Sequence, residues 1–316
     1  MAAFNIEDYI HSLPDDIEYL DVSSKSLTYI PSLKRFHKLR RLYCAHNQLT
    51  SLPELNHSIE RLDCQNNQLT SLPELNNNLR ELYCSNNQLT SLPELNYELQ
   101  ILECDDNQLT SLPELNNNLR ELYCYNNQLT SLPELNHSLR HLYCYNNQLT
   151  SLPQLNYELQ ILDCYNNQLT RLPELNNALT YLSCSDNQLT ILPKLNNALI
   201  ELECSNNQLT ILPELNDNLE TLVCYDNSFP SFISINSGYS GYLNQENKNR
   251  INNAFQQLYR VKLLFWSLKY KAQFRHWLWV RVRLPKIEKA YHPSKLNELL
   301  NTDMSEEELD NVLSNW

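Results

Sequence analysis

The chain has 316 residues, 42% hydrophobic and 19% charged, with a formal net charge of −13 at pH 7. So acidic a balance argues against broad nucleic-acid binding, which needs a basic footprint on the phosphates. The two glycines, Gly238 and Gly241, cannot build a glycine-rich phosphate loop.

Residues 1–16 read as an N-terminal helical cap. Phe4, Ile6, Tyr9, Ile10 and Leu13 recur at roughly helical spacing. Asn5 is the expected N-cap, Glu7 and Asp8 suit the positive end of the first turn, and Pro14 ends the segment. A basic n-region and an apolar h-region are both missing, so these residues do not read as a secretory signal peptide. No apolar run reaches the roughly 18 residues of a membrane span.

Residues 17–235 repeat. Cysteines fall at 44, 64, 84, 104, 124, 144, 164, 184, 204 and 224, and nowhere else. They mark the frame L-x-x-L-x-C-x-x-N-x-L-T-x-L-P-x-L. Eleven units start at Ile17, Leu39, Ile59, Leu79, Leu99, Leu119, Leu139, Leu159, Leu179, Leu199 and Leu219. A fixed period of this size indicates stacked units sharing one continuous core. Around Leu82-Tyr83-Cys84 apolar and polar residues alternate, which predicts a short strand. Leu82 and Cys84 point inward, while Glu81, Tyr83 and Ser85 point out. Twenty residues leave no room for a long helix, and Leu-Pro-Glu-Leu suits an extended return because proline fixes φ and lacks an N–H.

The cysteines read as a ladder of small buried thiols. Side-by-side parallel side chains suit a disulfide poorly, and a straight column does not offer four convergent metal ligands. Ten free thiols point to a reducing compartment. Asn47, Asn67, Asn87, Asn107, Asn127, Asn147, Asn167, Asn187, Asn207 and Asn227 form a second column. An amide donates and accepts, so each can tie together backbone groups left over at the strand exit. Lys25 takes that slot in the first unit. With glycine so scarce, turns needing left-handed residues are expected to use asparagine.

The frame resembles the leucine-rich repeat family over roughly residues 17–235. The short unit with Leu-Pro after the turn is similar to the repeats of secreted bacterial effectors. That resemblance implies a parallel sheet on the concave face, extended polyproline-like segments on the convex face, and an asparagine ladder. The expected fold class is therefore an α/β repeat: a leucine-rich repeat solenoid with a short N-terminal helical cap and a C-terminal α-helical module. Effectors of this kind often carry a C-terminal ubiquitin-ligase domain with a nucleophilic cysteine, whereas this chain has no cysteine beyond Cys224.

Residues 236–248 read as a linker and 249–316 as a helical module. Ile251, Phe255, Leu258, Val261, Phe265 and Leu268 lie on one helical stripe. Ser305-Glu306-Glu307-Glu308 fits a capping box before a short acidic helix. Charge is split: residues 1–235 hold 12 Lys/Arg against 29 Asp/Glu, and 236–316 hold 12 against 8. The run Leu268-Lys269-Tyr270-Lys271-Ala272-Gln273-Phe274-Arg275-His276-Trp277-Leu278-Trp279, with Tyr291-His292-Pro293 and the terminal Asp310–Trp316 stretch, resembles tails on proteins of giant amoeba-infecting viruses. With the repeats upstream, the chain is similar to leucine-rich repeat proteins of the mimivirus group, which implies an origin and brings no activity.

Against a near-constant frame the informative positions are those that vary. On the concave face Tyr123, Tyr125, Tyr143, Tyr145 and Tyr165 are neighbours, with His141 beside them and Glu103, Asp105 and Asp163 around them. Rigid aromatics with a polar tip are common interface anchors. Other readings stand beside this one: tyrosine suits exposed strand positions and stacks along a ladder, and such a row could serve as a carbohydrate or nucleotide platform. Glu54, Glu74, Glu94, Glu114, Glu134, Glu174 and Glu214 form a convex acidic column that reads as a solvated face. The C-terminal basic-aromatic helix reads as a cap on the solenoid's end around Phe229 and Phe232, as a docking segment, or as an anionic-surface contact. The expected function is a non-catalytic protein-binding scaffold using the concave face, with no cofactor or metal. The expected partner is a host-cell protein, met in the host cytoplasm or the virion. An adaptor recruiting machinery such as a ubiquitin ligase, and a structural virion component, are the alternatives.

Overall fold

The computed structural model describes residues 4–230, 240–286 and Ser305. Eleven three-residue strands follow one another: β1 (Tyr19–Asp21), β2 (Arg41–Tyr43), β3 (Arg61–Asp63), β4 (Glu81–Tyr83), β5 (Ile101–Glu103), β6 (Glu121–Tyr123), β7 (His141–Tyr143), β8 (Ile161–Asp163), β9 (Tyr181–Ser183), β10 (Glu201–Glu203) and β11 (Thr221–Val223). They pair in parallel, in sequence order and in register, Leu82 opposite Leu102 and Leu122 opposite Leu142. This is the solenoid expected from the repeat.

The core is the frame itself. In the fourth unit Leu79, Leu82, Cys84 and Leu89 are all fully buried, and the same slots are buried in every later unit. A side chain so placed is covered largely by its equivalents in the units before and after, so no unit is stable alone. Backbone bonds continue past each strand: the Cys84 N–H donates to Glu103 O at 2.8 Å, Asn86 to Asp105 O at 3.0 Å, and Gln88 back to Leu69 O at 2.9 Å.

The asparagine column works as its chemistry requires. Asn127 Nδ2 donates to Cys104 O (3.0 Å), Cys124 O (3.2 Å) and Tyr125 O (3.1 Å), and its Oδ1 accepts the Leu109 N–H at 2.9 Å. At the front, Asn47 Oδ1 accepts the N–H groups of Lys25 and Leu27, so the first unit is tied in without an asparagine of its own. The residue before each of these asparagines takes a positive φ: His46, Asn66, Asn86, Asp106, Asn126, Asn146, Asn166, Asp186, Asn206 and Asp226 lie between 49° and 55°. Asparagine and aspartate tolerate this left-handed region better than other L-residues.

A second asparagine ladder runs along the opposite edge of each unit. Asn96 Nδ2 donates to Asn76 O (2.5 Å) and Leu79 O (2.8 Å), and Asn176 Nδ2 to Asn156 O (2.5 Å) and Leu159 O (2.9 Å). Asn176 Oδ1 in turn accepts the N–H groups of Ala178 and Leu179. Both corners of the coil are thus held by side-chain amides.

Two compact units divide the chain, Met1–Phe255 and Gln256–Trp316. In the first, helix α1 (Ile6–Ser12) opens with Asn5 Oδ1 accepting the N–H groups of Glu7 and Asp8, and buries Ile6 and Ile10. Arg35 fixes its end, donating at 2.6 Å to the carbonyls of Ile10 and Leu13. At the other end, part of the stretch expected as linker is built into the solenoid. Strand β12 (Ser240–Tyr242) pairs antiparallel with β11, Gly241 at φ 155° lying opposite Leu222. Helix α2 (Gln245–Leu278) starts four residues earlier than expected, and its first turns bury Ile251 and Phe255. The Asn252 side chain bonds the Leu215 N–H and carbonyl, and Phe255 packs edge-on against Phe229 at 5.4 Å. Short hydrophobic spacing did not reveal this closure because β12 contains no buried apolar run to signal a strand.

In the second unit α2 continues into a π-helical turn (Trp279–Arg283). Of the expected stripe, Ile251, Phe255 and Leu258 are buried, while Val261, Phe265 and Leu268 are exposed. Phe232 and the acidic segment following Ser305 lie outside the described residues.

Candidate protein-binding face

The strand pleat turns the third, fifth and seventh positions of each unit onto the concave face, and in-register pairing lines them up as columns. Tyr123 and Tyr143 stack with centroids 4.8 Å apart and planes within 7°. Tyr125, Tyr145 and Tyr165 form a second, three-ring stack with spacings of 4.3 and 4.6 Å. Both stacks follow from identical residues at identical positions one strand apart. The five rings are half-buried, packed against each other with part of each open to solvent. Offset-stacked aromatics contribute about 0.5–1.5 kcal/mol beyond area burial, so these rings are already ordered before anything binds.

Carboxylates surround them. The Tyr123 hydroxyl donates to Glu121 Oε2 at 3.0 Å, and His141 Nδ1 lies 3.8 Å from Glu121 Oε1. Glu103, opposite Tyr123 in the register, is half-buried. Burial, with Asp105, Asp63 and Glu121 nearby, pushes its carboxyl up to about 7, partly countered by Arg61. Burial also lifts Asp163 to about 6. Asp105 is only 5% exposed and accepts the Ser85 hydroxyl at 2.6 Å. It therefore supports the face from beneath. The Tyr125 hydroxyl is pushed up by burial and by its hydrogen bond to Asp105, and Tyr145 rises to about 12, mainly by burial. All the residues singled out in the sequence thus come together, with Asp105 and Asp163 covered and the others accessible in part.

A second constellation lies on the same face, nearer the start of the sheet. Arg61 from β3 lies with its guanidinium carbon 5.4 Å from the Tyr43 ring centroid and 4.5 Å from that of Tyr83. It donates to Glu81 Oε2 at 2.6 Å, and the Tyr83 hydroxyl donates to the same oxygen at 3.0 Å. The signal available was the triplet Glu-Leu-Tyr, which recurs unchanged at 81–83 and 121–123.

The ten thiols are free and fully buried. Burial raises every one, Cys224 to about 12. Cys84 donates its S–H to Glu103 O at 3.2 Å. Among the described residues no group of three or more His, Cys, Asp or Glu is placed to hold a metal ion, and no helix is long and apolar enough to cross a membrane.

A parallel solenoid with a leucine column and asparagine-tied turns defines a class of repeat proteins built as extended surfaces. The chain belongs to the leucine-rich repeat family. The family described as Leucine Rich repeats (2 copies) matches residues 57–97, 117–157 and 137–177. Among solved structures, the chain is similar to YopM, a leucine-rich effector protein from Yersinia pestis, at 36% identity and TM-score 0.61, covering 68% of each chain. YopM from Yersinia enterocolitica WA-314 is 32% identical with TM-score 0.51, covering 70% of this chain and 58% of that one. The functional domain of InlJ from Listeria monocytogenes, which includes a cysteine ladder, is 31% identical with TM-score 0.56. This chain spans 66% of itself and about half, 49%, of the InlJ chain in that match. No curated protein sequence matches the chain. The fold is typical of protein–protein interaction scaffolds and effectors, and the family is generally non-enzymatic.

Proposed function

We propose that the concave face between β5 and β8 is the partner-binding surface of a non-catalytic protein-interaction scaffold. The two pre-stacked tyrosine columns carry this reading. Tyr123, Tyr125, Tyr143, Tyr145 and Tyr165 are rigid, half-exposed and flanked by Glu103, Glu121 and His141. Anchors already in place lose little side-chain entropy on association, so more of the contact energy appears as affinity. The resemblance of the C-terminal segment to giant-virus tails supports a host-cell protein as the partner, met in the host cytoplasm or the virion. The test is affinity capture from host lysate by the intact chain and by the Tyr125→Ala, Tyr145→Ala double variant. The expected result is a specific protein retained by the first and lost by the second. Equal capture removes the tyrosine columns from the account.

A second reading is favoured by the helix itself. Residues 256–286 carry eight lysines and arginines and no acid, and expose Phe265, Trp266, Phe274, Trp277 and Trp279. A helix so apolar and basic suits recruitment of a further protein, which makes the chain an adaptor. Removing 256–316 is then expected to spare capture of the target and abolish co-capture of the recruited component.

A further inference from the structure

We propose that Glu121 and Tyr123, with Glu103 beside them, form a receptor for an arginine side chain presented by the protein partner. The inference rests on the concave face being the binding surface and names what that surface recognises.

The structure contains the same receptor already filled. In β4, Glu81 and Tyr83 hold the guanidinium of Arg61 from the preceding strand, the carboxylate by a 2.6 Å charge-assisted bond and the ring at 4.5 Å. The hydroxyl of Tyr83 braces Glu81 at 3.0 Å. In β6 every element recurs: Glu121 replaces Glu81, Tyr123 replaces Tyr83, and the hydroxyl brace has the same length, 3.0 Å. The preceding strand keeps its carboxylate too, Glu103 standing where Asp63 stands two units earlier. The cation does not recur. The register places Arg61 opposite Glu81, but Ile101 opposite Glu121. The second receptor therefore lacks its cation.

Among the described residues, neighbouring groups do not supply one. Between 81–85 and 221–225 the outward positions of the strands include Glu81, Glu103, Asp105, Glu121, Asp163, Glu201 and Glu203 and no lysine or arginine. His141 approaches Glu121 only to 3.8 Å and is charged only when protonated. Tyr143 covers the Tyr123 ring from the following strand, as an aromatic would on the side opposite to an incoming guanidinium. A planar guanidinium satisfies both parts of such a site, the carboxylate by paired N–H donors and the ring by cation–π contact, whereas an ammonium ion is a point charge.

The probe is a neutral-dye-labelled Gly-Gly-Arg-Gly-Gly amide, followed by fluorescence anisotropy against the full chain, with lysine and citrulline versions alongside. The arginine peptide is expected to bind about tenfold more tightly than the citrulline peptide, a charge-assisted bond's worth, and several-fold more tightly than the lysine peptide. Glu121→Gln is expected to remove that tenfold advantage. Ile101→Arg supplies the missing cation from within, and is expected to block the peptide while leaving the thermal midpoint equal or higher. Arg61→Ala is expected to open a second site of similar strength. Undiminished arginine binding by folded Ile101→Arg and Glu121→Gln overturns the proposal, as does a citrulline peptide that binds equally well. The Tyr125→Ala, Tyr145→Ala variant keeps the receptor residues. Arginine-peptide binding that it retains, with partner capture unaffected, upholds the receptor and rejects the wider reading; loss of capture without any arginine preference does the reverse.

Discussion

Replacing Asn127 by alanine tests how the solenoid is held together. Its amide touches four backbone groups: the Leu109 N–H and the carbonyls of Cys104, Cys124 and Tyr125. The carbonyls keep other donors. Cys104 O still receives Asn107 Nδ2 at 3.2 Å, Cys124 O still receives Asn147 Nδ2 at 3.0 Å, and Tyr125 O still receives the Asp106 N–H at 3.1 Å. The loss therefore falls mainly on the Leu109 N–H, which belongs to a fully buried residue and has Asn127 Oδ1 as its acceptor. An orphaned buried donor costs about 1–3 kcal/mol, and the weakened carbonyls add a few tenths each, giving about 2–4 kcal/mol. Because units are coupled only to their neighbours, this acts on the interface between the fifth and sixth units. Urea unfolding followed by far-UV circular dichroism should show a lower midpoint or a split transition. The control is Glu114→Ala on the exposed convex column, expected to stay within about 0.5 kcal/mol of the parent. An Asn127→Ala midpoint no lower than that of Glu114→Ala refutes the ladder as a source of stability.

Further outcomes are expected. Asn126 sits at φ 50°, and its amide donates to Asp106 Oδ1 and accepts from Asn146 Nδ2, so Asn126→Val should cost about 1–2 kcal/mol or more in the same urea experiment, while Asn126→Gly, which loses the two side-chain bonds without the backbone strain, should cost less than valine. A thiol reagent should modify none of the ten buried cysteines in the native protein and all ten in denaturant; rapid native labelling would contradict the buried column. Glu103 titrates near 7 when folded against an ordinary 4.5, so the folded state binds its proton more tightly than the unfolded chain does. Its contribution is fully present below about 4.5 and is lost as pH rises through about 7, which makes the protein more stable at pH 5.5 than at pH 8 as far as this group decides. Glu103→Gln should shrink that difference, measured as the shift in urea midpoint between the two pH values. Phe255→Ala removes the ring that closes the last unit against Phe229 and should lower stability by about 3 kcal/mol, read as early loss of the last repeats in hydrogen exchange.

The repeat was legible because its signal is redundant. A leucine, cysteine and asparagine frame in register allows one topology, and strand positions followed within a residue. The asparagine at 47, 67 and onward was legible because an amide at a strand exit has one obvious use. The equally regular Asn56, Asn76 and Asn96 series was not, since its value depends on carbonyls of the previous unit that only the closed coil brings within reach. The closure by β12 was hidden for another reason: Ser240-Gly241-Tyr242 has no strand pattern, and β11 supplies the edge that makes it one. On the concave face the tyrosine columns could be read from spacing alone. The Glu-Tyr receptor could not, because nothing in the triplet tells that Arg61 reaches across to fill one copy and that Ile101 leaves the other open.

The central claim is that partners bind the concave face, and side-chain footprinting tests it with an internal control. Tyr123, Tyr125, Tyr143, Tyr145 and Tyr165 are half-buried on that face, whereas Tyr97 and Tyr157, 65% and 86% exposed, sit on the loops between strands. Hydroxyl-radical oxidation of each tyrosine is measured with and without the captured partner. Protection of the five concave tyrosines, with Tyr97 and Tyr157 unchanged, is the result the account predicts. Protection of Tyr97 and Tyr157 with the concave tyrosines unchanged would contradict it.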